Sequence, residues 1–303
     1  MTFTGSVSAD QAIAGFVAGA TSTLLLHPLD VIKIRLQVDE RARNHGNTTI
    51  NLWKQIQRTE GIGRGLYRGV MANLAGACFS WGLYFWWYGL IKEYMRDGAN
   101  GKLTAVQHLT ASAEAGAACA IVTNPFWVIK TRMCATKWND PGAYRSLSEG
   151  LYKLARYEGI NGMYKGLTPA LFGVSHGALQ FMAYEEMKSI WADFNPTKNV
   201  NHMGTLEYIT MAAASKLFAT ICTYPYQVIR SRLQNQYEGR KYTTAWGTIT
   251  TVYKNEGFTG FYKGLGPNVV RVLPGTMITF AVYEGLSKFF RQYGNGAVVG
   301  AKM

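Results

Sequence analysis

Three segments of the chain place acidic, basic and amide side chains at fixed distances after a proline. They read HPLDVIKIRLQ at 27–37, NPFWVIKTRMC at 124–134 and YPYQVIRSRLQ at 224–234. In the first copy an acid and a base, Asp30 and Lys33, are three residues apart and share one helical face. An acid of one copy can therefore pair with a base of another and close a ring of ion pairs, which would act as a gate.

The spacing of these segments makes the chain a threefold repeat. Their prolines stand at 28, 125 and 225, roughly one hundred residues apart. A second element follows each copy at a similar distance, and the three versions are EGIGRGLYRG at 60–69, EGINGMYKG at 158–166 and EGFTGFYKG at 256–264. We therefore divide the chain into repeats 1–100, 101–200 and 201–303, which together form one structural domain.

The composition indicates an anionic partner or a charged membrane surface. The chain has 303 residues, 48% of them hydrophobic, and a formal net charge of +13 with only 16% charged residues. Nucleic acid is not expected, because the basic residues are spread over all repeats and form no tail or block. The four cysteines lie in apolar stretches without paired spacing, so neither a disulfide framework nor a zinc site is predicted.

The N-terminal stretch MTFTGSVSAD does not resemble a targeting segment. It has no basic side chain and no apolar core before Ile13. We expect neither a cleaved signal peptide nor an arginine-rich transit peptide, so any address would be internal.

Apolar stretches predict two membrane crossings in each repeat. Residues 11–26 carry no charge, and Gly15 and Gly19 have the four-residue spacing that favours close helix packing. Residues 70–91 are 22 uncharged residues, enough to cross a bilayer core of about 30 Å. The other predicted crossings fall within 109–130, 169–184, 206–230 and 267–283. Short surface helices are predicted near 51–61, 147–157 and 244–255.

The mean hydropathy of −0.05 is low for six crossings. Helices that surround water would explain this value, since their inner faces would be polar and only their outer faces apolar. The 33 glycines allow such helices to pack closely. The sequence thus predicts an all-α membrane protein of six transmembrane helices in three pseudo-threefold repeats, each with a short surface helix.

The two repeated elements, three times over, resemble the mitochondrial carrier family along nearly the whole chain. The resemblance implies alternating access to a central site, both termini on the intermembrane side, and a monomer that catalyses no chemical reaction. It also implies a multi-pass protein of the mitochondrial inner membrane, with the surface helices on the matrix side. Family pairing would join Asp30 to Lys130, Trp127 to Arg230 and Gln227 to Lys33, so one full ion pair remains in the matrix gate.

Family resemblance also assigns bracing residues and a second gate. Gln37 and Gln234 stand where carriers place glutamines that brace the ion pairs, and Cys134 takes that place in repeat two. A cytoplasmic gate is implied by an aromatic, acid and base pattern at the ends of the even helices. Its members here are Tyr88, Lys92, Tyr184, Glu185, Lys188, Tyr283 and Glu284, with Gly89 and Ser287 at the positions of a missing acid and base. Glu284 is expected to meet Lys92, although any one of these residues can instead simply cap a helix end at the interface.

Two cations inside the predicted crossings suggest an anion-binding site. Arg271 lies within the last crossing, where a charge needs a partner, water or a function, and it also matches a helix-6 contact position of carriers. The alternative is a side chain that reaches the lipid headgroups. Lys216 is eleven residues before Gln227 and shares its helical face, although it can also be a structural partner of Glu114.

The positions that correspond to Arg271 in the other repeats offer space rather than charge. They are Gly76 and either Phe172 or Gly173. A small dicarboxylate would favour a second arginine there, whereas a large aromatic anion needs room and stacking surface. The rings of Trp81, Tyr84, Phe85, Trp86 and Trp87 can supply part of that surface, although most are expected in an interfacial belt.

Two local patterns narrow the expected substrate. Tryptophan in place of the acid in NPFWVIK is similar to carriers of pyrimidine nucleotides, NAD, folate and FAD, and SHGALQFMAYEE at 175–186 resembles the FAD and folate branch. We therefore expect FAD as a transported substrate and not as a cofactor, with phosphates near Arg271 and Lys216 and the rings against helices 2 and 4. His176 and Gln180 are candidates to hydrogen-bond its heterocycle, although His176 can equally pack against polar neighbours.

The sequence also bears on other classes of protein and on lipid partners. The five histidines show no metal-ligand spacing and there is no phosphate-binding P-loop, which argues against a membrane enzyme or an ATPase. A proton leak through weak gates is the main rival class. Backbone N–H groups near helix starts and next to cations bind phosphate. Family resemblance implies cardiolipin at the repeated turns, whose basic and glycine residues are Arg68, Gly69, Lys165, Gly166, Lys263 and Gly264. The alternative is simply a tight turn before a crossing, and the two roles are compatible.

Overall fold

The structure is a computed structural model that describes residues 7–40, 49–97, 104–194, 205–235, 242 and 244–299. Repeat one contains α1 (Val7–Val38), α2 (Thr49–Thr59), a π-helical turn (Ile62–Leu66) and α3 (Val70–Asp97). Repeat two contains α4 (Ala105–Ala135), α5 (Leu147–Lys153), a π-helical turn (Leu154–Glu158), α6 (Gly159–Met163), α7 (Leu167–Phe172) and α8 (Val174–Phe194). Repeat three contains α9 (Thr205–Gln234), α10 (Ala245–Glu256), a 3₁₀ turn (Phe258–Tyr262) and α11 (Leu265–Val299).

The predicted all-α architecture is confirmed, and no strand occurs among the described residues. The predicted surface helices correspond to α2, to α5 with its π-helical turn, and to α10. The fourth long helix in chain order is divided, because α7 ends at Phe172 and α8 begins at Val174. The helices that carry the repeated prolines continue through Pro28, Pro125 and Pro225.

The helices pack in a closed ring. α3 lies along α4, α8 lies along α9, and α11 returns to lie along α1, while α1, α4 and α9 also contact one another. Each repeat therefore packs its second long helix against the first long helix of the next repeat. We call the end where α1, α4 and α9 finish, after their prolines, the proline end of the bundle.

Apolar side chains face outward and polar ones are buried along the bundle. Phe16, Phe85, Trp86, Phe181 and Phe218 are each exposed by 45% or more. The buried polar set includes Asp30, Gln37, Asn73, Thr131, Ser231 and Gln234. This distribution fits helices with a lipid-facing outer surface, as the low hydropathy of the sequence suggested.

Two described helical stretches are long and apolar enough to cross a membrane by length and composition, Asp10–Val38 and Phe258–Phe290. The stretch 70–91, which the sequence predicts as a crossing from its 22 uncharged residues, is not one of them. Its aromatic run carries indole N–H and phenol O–H groups that reduce its mean hydropathy. The number of six crossings therefore stays a prediction.

The expected close packing at Gly15 and Gly19 does not occur. A Cβ atom at either position would meet nothing within 4 Å. The buried small residues of this part of α1 are instead Ala14 and Ala18, both fully buried. The contact face of the helix is therefore rotated by one residue from the one that the glycine spacing indicated.

The glycines that precede α3, α7 and α11 let neighbouring repeats approach each other. Gly69, Gly166 and Gly264 have φ values of 77°, 75° and 81°, in the left-handed region. A Cβ atom on Gly264 would lie 2.8 Å from the carbonyl oxygen of Lys33. A side chain at this turn would thus be strained and would also push α1 away.

Three equivalent arginines hold the proline end together. Arg35, Arg132 and Arg232 form ion pairs with Glu60, Glu158 and Glu256, respectively, which link each first helix to its own surface helix. Their Nε atoms donate to the carbonyl oxygens of Cys134, Gln234 and Gln37 at 3.1, 2.9 and 2.9 Å. The second set of contacts runs from repeat one to two, two to three and three to one, so it closes a ring of repeats.

Three different side chains, each one residue before a repeated proline, make equivalent contacts within their repeats. The ring of His27 lies 2.9 Å from the carbonyl oxygen of Arg68 through Nε2. In the other repeats the amide of Asn124 donates to the carbonyl of Lys165 at 3.2 Å, and the hydroxyl of Tyr224 donates to that of Lys263 at 3.0 Å. Each first helix is thereby joined to the turn that begins the second long helix of its repeat.

The ion pair of Glu158 generates a prediction about acid stability. Burial would raise the pKa of Glu158, but hydrogen bonds from Arg132 and Lys165 outweigh it and lower the pKa below the ordinary value of 4.5. Because the folded-state pKa is depressed, the ionised group stabilises the fold above about pH 4.5, and this contribution is lost as pH falls through the lower folded pKa. Glu158→Gln should cost about 1–3 kcal/mol near neutral pH.

Thermal unfolding midpoints between pH 7 and pH 3.5 would measure this effect. The difference between Glu158→Gln and the unaltered protein should shrink towards acid pH. The matched control is Glu149→Gln, which removes a carboxylate from an exposed i, i+4 pair with Lys153 and should change stability by no more than about 0.5 kcal/mol. A deficit of Glu158→Gln that stays the same at every pH would contradict the role of the ionised pair.

Candidate functional site

A cavity of about 470 Å³ lies between α1, α3, α4, α9 and α11. This volume is within the range of small-molecule sites, about 300–1,000 Å³. Its charged lining consists of Asp30, Lys130, Lys216 and Arg271, and Trp127 forms part of the wall. Three cations thus face one carboxylate, which makes the cavity suitable for an anion.

The carboxylate of Asp30 joins the two cations that the sequence placed in separate sites. Arg271 forms an ion pair with Asp30 through Nη1, and the ammonium of Lys130 lies 3.9 Å from Asp30 Oδ2. The amide of Asn73 also donates to Oδ2 at 3.4 Å. The predicted gate and the predicted anion site are therefore in direct contact.

Lys216 faces the same cavity without a carboxylate partner among the described residues. Its ammonium donates to Thr276 Oγ1 at 3.2 Å. The alternative partner, Glu114, is exposed on α4, and no ion pair joins the two in the described part of the chain. Lys216 is therefore available to an anionic ligand.

Two of the three expected contacts around the gate are present. Asp30 lies near Lys130, as above, and Lys33 donates to Gln227 Oε1 at 2.9 Å. Both join α1 to a neighbouring first helix, so they hold the proline end closed. The amide of Gln227 has no charge, so Lys33 donates a hydrogen bond to it without the attraction of an ion pair.

The third expected contact, between Trp127 and Arg230, is not formed by the described residues. The ammonium of Lys130 lies over the Trp127 ring instead, 5.6 Å from its centroid. The indole N–H donates to Thr123 Oγ1 at 3.2 Å. Because Lys130 occupies one ring face and Thr123 binds the indole N–H, the ring is held within its own repeat.

The glutamines brace helices rather than ion pairs. Gln37 donates to the hydroxyl of Tyr224 at 3.0 Å and accepts from Ser231 Oγ at 2.7 Å. Gln234 accepts from Thr131 Oγ1 at 2.8 Å. In repeat two the thiol of Cys134 donates to the carbonyl of Arg68 at 3.4 Å.

At the opposite end of the bundle the predicted gate residues make ion pairs only within single helices. Glu185 lies 3.9 Å from Lys188, and Glu284 lies 3.7 Å from Lys288, a base that the sequence pattern missed because it sought one at 287. The expected bond between Glu284 and Lys92 does not occur in the described part of the chain. Among the described residues this end is therefore not closed by ion pairs between helices, while the proline end is.

The aromatic members of that predicted gate are half-buried. The hydroxyl of Tyr88 lies 2.9 Å from Nδ1 of His108 on α4. Tyr184 and Tyr283 are partly buried on α8 and α11. The role of these three residues in a gate stays a prediction.

The remaining predicted substrate contacts do not line this cavity. Gly76 is buried against Phe126 and Trp127, Phe172 is 65% exposed, and Gly173 lies near the Tyr226 hydroxyl. His176 and Gln180 lie along α8, which lines no part of the cavity.

His176 makes a polar packing contact. Its Nδ1 lies 2.9 Å from Thr223 Oγ1 of α9, which fits the structural alternative better than a role in binding a heterocycle. Gln180 is half-buried on the same helix. The expectation that α8 supplies much of the binding surface is therefore not supported by this cavity.

Several lining residues were not anticipated. Asn73, Ser22 and Thr276 form part of the wall, and each is an uncharged polar residue outside the two repeated elements. Trp127 is also part of the wall, and it does stand out in the sequence because it replaces an acid at a repeated position. The sequence predicts it as a gate residue and not as part of the cavity.

A second cavity, of about 790 Å³, lies between repeats two and three near the proline end. Lys165 and Gly166 line one side, and Thr244, the N-cap of α10, lines the other. Lys165 and Lys263 are already paired with Glu158 and Glu256 at 2.7 and 2.5 Å.

The equivalent residue of repeat one, Arg68, is bonded differently. Its Nη2 atom donates to Thr136 Oγ1 at 3.1 Å and to the carbonyl of Tyr144 at 3.3 Å, and its guanidinium lies over the Trp138 ring. Its Nε and Nη1 atoms are buried without a hydrogen-bond partner among the described residues.

The neutral gate contact generates a prediction about stability. Gln227→Glu keeps the shape of the side chain and adds a negative charge, which turns the hydrogen bond from the Lys33 ammonium into an ion pair. We expect a higher thermal midpoint. Gln55→Glu, which adds the same charge at an exposed position of α2, is the matched control. A midpoint that falls for Gln227→Glu, or rises equally for both variants, would show that Lys33 and Gln227 do not hold the proline end together.

Comparisons with known proteins agree with this arrangement. A family model described as mitochondrial carrier protein matches residues 6–99, 101–195 and 201–294. The chain is 36% identical to the mitochondrial FAD carrier protein of Saccharomyces cerevisiae, over 91% of this chain and 95% of that protein. It is 38% identical to the mitochondrial nicotinamide adenine dinucleotide transporter 2 of Arabidopsis thaliana, over 94% and 80% of the two chains. It is also 37% identical to the chloroplastic folate transporter 1 of the same plant, over 94% and 96%. The chain belongs to the mitochondrial carrier protein family.

Proposed function

We propose that this protein transports FAD across the mitochondrial inner membrane, by alternating access to the central cavity. The observation that carries the proposal is the set of Lys130, Lys216 and Arg271 around a single carboxylate, Asp30. A dinucleotide has two phosphates whose negative charges match this surplus of cations. Membership of a transporter family, together with relatives named for FAD, NAD and folate transport, supports a substrate of this class.

In this proposal Arg271 couples the binding of substrate to the opening of the proline end. Its guanidinium is paired with Asp30 and is 35% exposed to the cavity. A phosphate that binds Arg271 competes with Asp30 for the same donors. Lys130 lines the same cavity, so a phosphate that reaches it as well draws this cation from Asp30 and weakens a contact that holds the proline end. Exchange of one anion for another would follow if the empty carrier changes state slowly.

The proposed orientation follows from the two ends of the bundle. The proline end is held closed by contacts between repeats, and it corresponds to the matrix side in the family. The opposite end has ion pairs only within single helices among the described residues. The cavity would thus receive its substrate from the intermembrane side in this arrangement.

We further propose that cardiolipin binds at the repeated turns and that the protein works as a monomer. The cavity of about 790 Å³ between repeats supports a lipid at one of these turns, since Lys165 and the start of α10 face it. In repeat one, the two unpartnered nitrogens of Arg68 are donors that a phosphate can reach if the turn relaxes.

Folate, NAD and pyrimidine nucleotides are the alternative substrates, because they share an anionic group and a flat ring. A proton leak is the alternative of a different class, and the neutral contact of Gln227 with Lys33 is the feature that favours it. Labelled flux and internal pH, measured in the same vesicles, separate a carrier from a leak. Acidification without flux of any labelled anion would favour the leak.

Removal of the cavity cations is the test of the substrate site. Lys216→Gln should weaken FAD binding by about tenfold, since a hydrogen bond to a charged group contributes about 1.5–3 kcal/mol. Arg271→Gln should weaken it at least as much. Binding is measured as the rise of the thermal midpoint with FAD, FMN, folate, NAD, UTP, ATP and malate, and transport as uptake of labelled FAD by vesicles.

The matched control is Lys254→Gln, which removes one positive charge from an exposed position of α10. It should leave FAD binding unchanged. Equal losses in Lys254→Gln and Lys216→Gln would show that only the total charge matters. Selective stabilisation by folate, NAD or UTP would move the proposal to that substrate, and no binding of any anion by the unaltered protein would contradict it.

A further inference from the structure

Trp127 stands at a repeated position where the first copy has an acid. Its counterparts are Asp30 and Gln227, which both contact a neighbouring repeat at the proline end. Trp127 makes no such contact among the described residues and instead forms part of the cavity wall. Tryptophan at this position therefore leaves repeat two without an acid at the gate and places an aromatic ring beside the cavity cations.

The ring of Trp127 is held in a fixed orientation. The indole N–H donates to Thr123 Oγ1 at 3.2 Å, one helical turn earlier. On the neighbouring helix α3, Gly76 presents no side chain, and a Cβ atom there would lie 3.9 Å from two atoms of the indole ring. Phe126, the residue before Trp127, stacks on Phe79 of α3 with ring centroids 5.2 Å apart, which fixes the backbone of α4 against α3. A fixed ring loses little conformational entropy when a ligand stacks on it.

The position of the ring relative to the cations fits a nucleotide. The ammonium of Lys130 is 5.6 Å from the ring centroid, and Arg271 and Lys216 line the same cavity. A ligand whose phosphates bind the cations therefore brings its attached heterocycle within reach of the indole. Electron-poor heterocycles stack well on an electron-rich indole face, and such stacking tolerates differences between rings.

The other aromatic residues are less suited to this task. Phe280 also lines the cavity, but it is 64% exposed, and no described hydrogen bond can orient a phenyl ring. Trp81 and Phe85 of α3 stack on each other at 5.7 Å, are each exposed by 62%, and do not line the cavity. Trp127 is thus the oriented aromatic ring among the described residues of the wall.

We propose that Trp127 is a substrate-binding residue that selects ring-bearing anions over ringless ones: its indole ring stacks on the flat heterocycle of the transported nucleotide, while the cavity cations bind its phosphates. This inference rests on the proposed transport of a nucleotide-like anion and identifies what selects the ring. The ring of the substrate would then displace Lys130 from the indole face or bind to the other face. Because the same residue occupies a gate position, a bound ring contacts the part of α4 that must move when the proline end opens.

Affinity for a ligand with a ring and for one without separates this role from a structural one. We would measure binding of FAD and of inorganic pyrophosphate to the unaltered protein and to Trp127→Leu, Trp127→Phe and Trp81→Leu. Trp127→Leu should weaken FAD binding by about tenfold and change pyrophosphate binding by less than about twofold. Trp127→Phe keeps a π face and should stay within about threefold of the unaltered protein for both ligands. Trp81→Leu removes an exposed tryptophan outside the cavity and should leave both affinities unchanged.

The outcomes are distinguishable from those of the proposed function. FAD affinity that is unchanged in Trp127→Leu would overturn the stacking role, and so would equal losses for FAD and pyrophosphate. If the unaltered protein binds NAD or folate but not FAD, the same variants are compared with that ligand, and selective loss in Trp127→Leu supports the inference although the named substrate was wrong. If Trp127→Leu does not fold, Trp127→Met, which fills more of the space of the ring, takes its place: a loss of affinity for FAD but not for pyrophosphate supports the stacking role, and unchanged FAD affinity or equal losses for both ligands would overturn it.

Discussion

The ion pair between Asp30 and Arg271 is the interaction on which the centre of the molecule depends. A buried carboxylate needs partners, and Asp30 has Arg271, Lys130 and Asn73 around it. These partners come from α11, α4 and α3, so one side chain on α1 connects all three helices. The same contact makes the cavity and the proline end a single unit, since any anion that binds Arg271 competes with the group that attracts Lys130.

The threefold repeat provides the framework, and departures from it provide the chemistry. The arginines that pair with Glu60, Glu158 and Glu256 are the same in every repeat, as are the left-handed glycines before α3, α7 and α11. These features hold the helices in a ring and leave little room for variation. The gate positions differ in every repeat, because Asp30, Trp127 and Gln227 occupy equivalent places. The loss of two acids leaves a surplus of positive charge beside the cavity, which a phosphate can neutralise.

Much of the architecture was predictable, because it is repeated three times in the sequence. The surface helices, the first and second long helix of each repeat and the contacts of Asp30 with Lys130 and of Gln227 with Lys33 follow from motif spacing and family pairing. The contact of Arg271 with Asp30 did not follow, since it joins helices from the two ends of the chain and family pairing assigns Asp30 to Lys130 alone. The break at Gly173 and the contact of His176 with Thr223 were equally hidden, because each depends on local packing between α8 and α9.

The aromatic residues also show that motif spacing does not predict which side chains share the cavity. The sequence placed the rings of the substrate near helices 2 and 4, where aromatic residues and glycines are plentiful. The cavity instead lies between α1, α3, α4, α9 and α11, helix 2 contributes Asn73 rather than an aromatic residue, and the oriented ring is Trp127. Periodicity shows which face of a helix is polar, but the contact between two helices decides which residues share one cavity.

The affinity of Asp30→Asn for FAD tests most directly whether the carboxylate competes with the substrate for Arg271. Asparagine keeps the size of the side chain and removes its charge, so bound phosphate no longer has to displace an ion pair. We predict that Asp30→Asn lowers the thermal midpoint of the empty protein and binds FAD about tenfold more tightly. Unchanged or weaker binding of FAD by Asp30→Asn would contradict the account, because it would mean that Asp30 and the substrate do not share Arg271.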